Sequence, residues 1–190
     1  MGKQGVAAAP KYWLAIVGLA ILLAGAFLAQ SIRTADGVTV RDIRFAGAKG
    51  AQMSALLYVP KNATPTTKAP GILAVHGYIN SRETQDGFAI EFARRGYVVL
   101  SIDQRGHGYS DGPAFADGFG GPDALAYLRS LPMVDTSQIG LEGHSMGGWT
   151  VLAAAAAMPD AYASIVLEGS STGAPFAEDG SPNWPRNLAL

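Results

Sequence analysis

The chain begins with one long apolar run and then changes rhythm. Tyr12 to Ala29 reads YWLAIVGLAILLAGAFLA, eighteen residues without a charge. As a helix rising about 1.5 Å per residue it spans roughly 27 Å, close to the hydrocarbon thickness of a bilayer. Tyr12 and Trp13 fall where interfacial aromatics sit, and Lys3, Lys11 and Arg33 flank the run. The pattern predicts a retained, single-pass signal anchor. A cleaved signal peptide is the alternative, because Ala24-Gly25-Ala26 resembles a small-residue cleavage site. A buried helix of the soluble part suits these flanks poorly. Basic residues nearly tie across the span, so orientation rests on the general use of near-terminal apolar spans as export signals. The globular part is therefore expected outside the cytoplasm, or secreted if the signal is cleaved.

Beyond the span the period shortens. Val38 to Phe45 alternates in part, glycines at 47 and 50 bracket a turn, and Met53 to Val59 follows, which predicts an antiparallel hairpin. Pro60 to Pro70 reads as a loop. From there short apolar runs and helical stripes alternate. Gly71 to Val75, Tyr97 to Ile102, Ile139 to Leu141 and Ser164 to Leu167 are the expected strands. Their uniform apolarity suits strands covered on both faces. Thr84 to Arg95, Asp123 to Leu131 and Met146 to Met158 are the expected helices. Such alternation implies right-handed crossovers and a mostly parallel sheet with helices on both faces, an α/β fold. The expected division is 1–33 as anchor or signal segment and 34–190 as one globular domain. From Ser171 onward neither period is visible.

Composition narrows the chemistry. A net charge of −1 gives no electrostatic reason to expect a nucleic-acid partner. The absence of cysteine excludes a disulfide framework, a thiolate metal site and a cysteine nucleophile.

The segment with chemistry in it is Ile139 to Gly148, IGLEGHSMGG. Gly143-His144-Ser145-Met146-Gly147 is G-x-S-x-G set between a strand and a helix. A reversal that sharp leaves no room for side chains two before and two after the serine, and both positions are glycine. It lifts the Ser145 hydroxyl above the sheet, beside a helix N-terminus whose free N–H groups suit an oxyanion. Ser145 is the expected nucleophile, and the Met146 N–H is one expected oxyanion donor.

Three motifs in order at strand ends, His76-Gly77-Tyr78, Asp103-Gln104-Arg105-Gly106-His107-Gly108-Tyr109-Ser110, and Gly143 to Gly148, make the sequence resemble the α/β-hydrolase family from about Val38 to Ser171. The resemblance implies cleavage of a carboxylic ester or amide through an acyl-enzyme on Ser145, with no metal or organic cofactor. The substrate would be a small-molecule or peptide acyl compound. It also implies that the second oxyanion donor is the backbone N–H of Tyr78, and that His76, His107 and Asp103 hold loops rather than catalyse.

A serine hydroxyl needs a base, and the base a carboxylate to orient it. In this fold the histidine follows the serine in the chain. His144 is the last histidine in this sequence, and it should point away from its neighbour. Glu168, after the sixth strand, is the candidate acid. Six strands are expected where the family sheet has eight, so the seventh and eighth, with the histidine, are expected outside this sequence. A chain carrying these residues alone is expected to turn over little or no substrate. Esterase and peptidase readings stay open, as does an inactive member of the fold that serves as a binding or scaffold protein.

Overall fold

The computed structural model describes residues 12–169. The irregular stretch noted from Ser171 onward lies outside them. Contacts divide the chain between Ala35 and Asp36. The first unit is the helix α1 (Trp13–Arg33), 21 residues long with none buried. It has the length and apolarity to cross a membrane, a property shared by signal sequences.

The second unit holds a six-stranded sheet. Its strands are β1 (Thr39–Ala46), β2 (Gln52–Val59), β3 (Ala69–Val75), β4 (Val98–Asp103), β5 (Val134–His144) and β6 (Ser164–Glu168). They lie in the order β1-β2-β4-β3-β5-β6. The first hairpin is antiparallel, β2 joins β4 antiparallel, and β4, β3, β5 and β6 run parallel. Three helices cross between them: α2 (Asp86–Arg94), α3 (Gly121–Ser130) and α4 (Met146–Ala157).

Both faces of the sheet are covered, and neighbouring residues therefore serve different cores. Leu57, Leu73, Val75, Leu100 and Ile102 pack with Leu125 and Leu128 of α3 and Val151 and Ala154 of α4. Leu56, Tyr58, Ile72, Ala74 and Val99 pack with Ala89, Ile90 and Ala93 of α2. This is why β2 to β4 read as continuous apolar runs instead of alternating.

Two boundaries differ from the sequence pattern. The expected helix from Thr84 begins as a 3₁₀ turn over Arg82–Gln85, and α2 takes over at Asp86. β5 starts five residues before the apolar Ile139. Its early part pairs Val134 and Asp135 with Ala69 and Pro70, and the register then shifts so that Gly71 meets Ile139. A polar stretch, Asp135 to Gln138, spans that shift, which hid the strand from a search for apolar runs.

Candidate active site

The carboxyl ends of β3, β4, β5 and β6 converge on one edge of the sheet. β5 ends at His144 and α4 begins at Met146, leaving Ser145 alone to turn the chain. Its backbone sits at φ 52°, ψ −117°. A non-glycine residue held at positive φ costs about 1–3 kcal/mol and persists only where its surroundings enforce it. The surroundings here do so. A Cβ on Gly143 would collide with the carbonyl of Gly147, and one on Gly147 would collide with the carbonyl of Val75. The Ser145 N–H is fixed by the carbonyl of Glu168 at 2.8 Å, and the Gly148 N–H returns to the Ser145 carbonyl at 3.0 Å.

Ser145 faces a cavity of about 490 Å³ that it shares with Tyr78, Phe115, Met146, Trp149 and Gly169. Met146 occupies the first position of α4, where the N–H has no partner within its own helix. Three of the four site residues expected from sequence, Ser145, Met146 and Tyr78, therefore come together.

The loop carrying Tyr78 is held from beneath. His76 is fully buried; its Nδ1 lies 2.6 Å from the Gly77 carbonyl, and its Nε2 accepts the Gln104 N–H at 3.1 Å. Burial lowers its pKa, with the Gly77 contact opposing, so the ring is neutral and donates through Nδ1. The Gln104 amide donates to the His76 carbonyl at 2.6 Å and accepts from the Thr150 hydroxyl on α4. One glutamine thus ties the loop after β3 to α4. Sequence reading passed over Gln104 and Thr150, because their link spans 46 positions and leaves no local pattern.

Asp103 holds loops as well, through nearby backbone N–H groups and a hydroxyl. Its carboxylate accepts from the Arg82 N–H at 2.9 Å, the Tyr109 N–H at 3.1 Å and the Ser54 hydroxyl at 2.8 Å. Arg105 turns elsewhere, pairing with Asp117 at 3.1 Å.

Glu168 is near the serine only through its backbone. Its side chain lines a separate cavity with Asn80, Thr84, Gln85, Phe88 and His144. There its carboxylate lies 3.8 Å from His144 Nδ1. His107 bonds the Arg105 carbonyl at 3.1 Å. Among the described residues, no histidine lines the Ser145 cavity. Among the described residues, no group of three or more His, Cys, Asp or Glu side chains is placed to hold a metal ion.

The family follows from comparison with known proteins. A family model described as the alpha/beta hydrolase fold matches residues 70–189. The chain belongs to that family. It is 32% identical over 120 residues to a monoacylglycerol lipase of Mycolicibacterium smegmatis, covering 58% of this chain and 41% of the relative. It is 34% identical over 103 residues to the human mitochondrial palmitoyl-protein thioesterase ABHD10, covering 52% of this chain and 33% of the relative. A crystal structure of a hypothetical protein from Pseudomonas aeruginosa superposes with a TM-score of 0.63 at 27% identity, over 73% of this chain and 44% of that one. The chain thus spans less than half the length of each of these relatives.

One titratable group at the site's base gives a pH prediction. Glu142, three residues before Ser145, is buried, and neither carboxylate oxygen has a hydrogen-bond partner among the described residues. Burial, helped by the charge of Glu168, raises its pKa from 4.5 to about 7. A carboxyl whose folded pKa is raised binds its proton more tightly folded than unfolded. Its contribution is therefore full below about pH 4.5 and is lost as pH climbs through 7, a change of about 3 kcal/mol. Urea unfolding of wild type and Glu142→Gln at pH 4 and pH 8 checks this. The variant is expected to gain on wild type by roughly that amount at the higher pH.

Proposed function

We propose that the protein is a membrane-anchored serine hydrolase that cleaves a carboxylic ester or thioester. The observation that carries the reading is the backbone at Ser145, strained and closed in by Gly143 and Gly147, with the hydroxyl at a cavity. In this reading the Ser145 oxygen attacks the acyl carbon and gives up its proton to a base. The N–H groups of Met146 and Tyr78 take the negative charge that develops on the carbonyl oxygen. The bond to the leaving oxygen or sulfur breaks, the leaving group takes the proton, and water then releases the acid from the serine. The base is a histidine other than the three in this sequence, whose roles lie in loop support and the Glu168 contact. A lipase and a thioesterase among the relatives support ester and thioester substrates over amides.

A fluorophosphonate probe tests the nucleophile. The intact protein should be labelled, and Ser145→Ala should lose all labelling. Labelling of the variant at the wild-type rate would assign the chemistry elsewhere. An intact, folded protein that takes no label would favour the binding or scaffold role.

In the same reading residues 1–33 anchor the domain at 34–190. The support is the length and exposure of α1 together with its aromatic and basic flanks. Membranes washed with alkaline carbonate should retain the protein with its N-terminus intact. Recovery of a soluble species beginning near Phe27 would identify a cleaved signal instead.

A further inference from the structure

The loop between β4 and α3 holds aromatic side chains on a strained backbone. Phe115, Asp117 and Phe119 all sit at positive φ, 66°, 51° and 60°. Three non-glycine residues in the left-handed region within five positions are uncommon, and such strain gathers at functional sites. Phe119 is buried, yet Phe115 remains 52% exposed, so burial does not recover its strain.

Buried Arg105 imposes the conformation. Its guanidinium donates to the carbonyls of Asp111 at 3.1 Å and Gly112 at 2.7 Å and pairs with Asp117 at 3.1 Å. Its own N–H binds the Phe119 carbonyl at 3.0 Å, and Lys49 holds Asp117 from the other side at 2.7 Å. The aromatic rings then form a chain. Phe115 lies 6.2 Å from Tyr78 and 5.7 Å from Phe119, and Phe119 lies 6.4 Å from Trp149 of α4. These separations are within reach of favourable ring contacts. Phe115, Tyr78 and Trp149 all line the cavity of Ser145.

Among the described residues that line the cavity, none is charged. Its volume of about 490 Å³ equals that of roughly sixteen water molecules, far more than an acetyl group fills. Resting on the Ser145 reading above, we infer that the loop from Asp111 to Phe119 is a fixed aromatic wall for the acyl side of this cavity. Phe115 is its specificity-determining residue, and the occupant is an uncharged acyl group larger than acetyl.

The test separates binding from chemistry. In intact protein carrying Ser145→Ala, equilibrium binding of ethyl octanoate and ethyl acetate is measured with Phe115 as wild type, alanine or leucine. Phe115→Ala should weaken octanoate binding about tenfold, the order expected for truncating one aromatic anchor, and Phe115→Leu should restore most of it. With Ser145 present, the ratio of kcat/KM for p-nitrophenyl octanoate over acetate should fall by a similar factor in Phe115→Ala. Octanoate affinity indifferent to both Phe115 variants, in proteins with unchanged circular dichroism, would overturn the inference. So would a Phe115 dependence that appears for octyl acetate and not for ethyl octanoate. Octanoate binding that depends on Phe115 without any hydrolysis would support the wall and count against the Ser145 reading alone.

Discussion

The site depends on two places where the chain has no room for a methyl group. At Gly143 and Gly147 the elbow between β5 and α4 presses backbone on backbone, against itself and against the end of β3. That contact holds Ser145 at a positive φ, sets the start of α4 beside it, and fixes how closely the loop after β3 can approach. Local strain at Ser145 is held by the packing of three elements, each anchored in the cores on the two faces of the sheet. Loosening any of them would let the serine relax towards an ordinary helix start and would move the start of α4 and the loop after β3 away from it.

Polar groups around the elbow serve that same geometry. The links from His76 to Gln104 and from Gln104 to Thr150 join loop to helix inside the protein, where hydrogen bonds are strong and unpaired partners are costly. Asp103 and Arg82 hold the neighbouring loop ends, with Arg82 reaching Asp42 on β1 through two bonds of 2.7 and 2.9 Å. Most of the charged and polar side chains near the site therefore support loops, and none of the described residues that line the cavity is charged. Glu142 is the exception, a buried carboxyl whose pKa is raised by burial and by the charge of Glu168, with the Val75 backbone opposing.

What the sequence reveals follows from which features leave a local pattern. The hairpin of β1 and β2, the buried runs of β3 and β4 and the alanine-rich α4 were all legible, since periodicity and apolar runs report burial directly. G-x-S-x-G was legible because its glycines answer a steric demand within five residues. The polar half of β5 was not, because Asp135 to Gln138 has no apolar signal and its position is set by β3. Arg82 looks like a loop residue until its partners, 28 to 40 positions away, are brought beside it. Phe115 lies in a loop between expected elements and Trp149 within the expected helix from Met146, and sequence reading singled out neither. Two phenylalanines among the glycines from Gly112 to Gly121 were the available clue. The carboxylate of Glu168 shows the limit of reading strand ends. A one-residue alternation decides which side of the sheet a side chain faces, and it faces His144, away from the serine's cavity.

In the proposed reaction this elbow presents Ser145 as the acceptor of an acyl group. Peptide-mapping mass spectrometry of the intact protein, quenched in acid within seconds of mixing with p-nitrophenyl butyrate, tests it most directly. The expected result is a butyryl mass increment confined to the peptide containing Ser145, and located on that residue by fragmentation. A butyryl group on any other side chain, or hydrolysis that proceeds with no acylated peptide at any quench time, would contradict it.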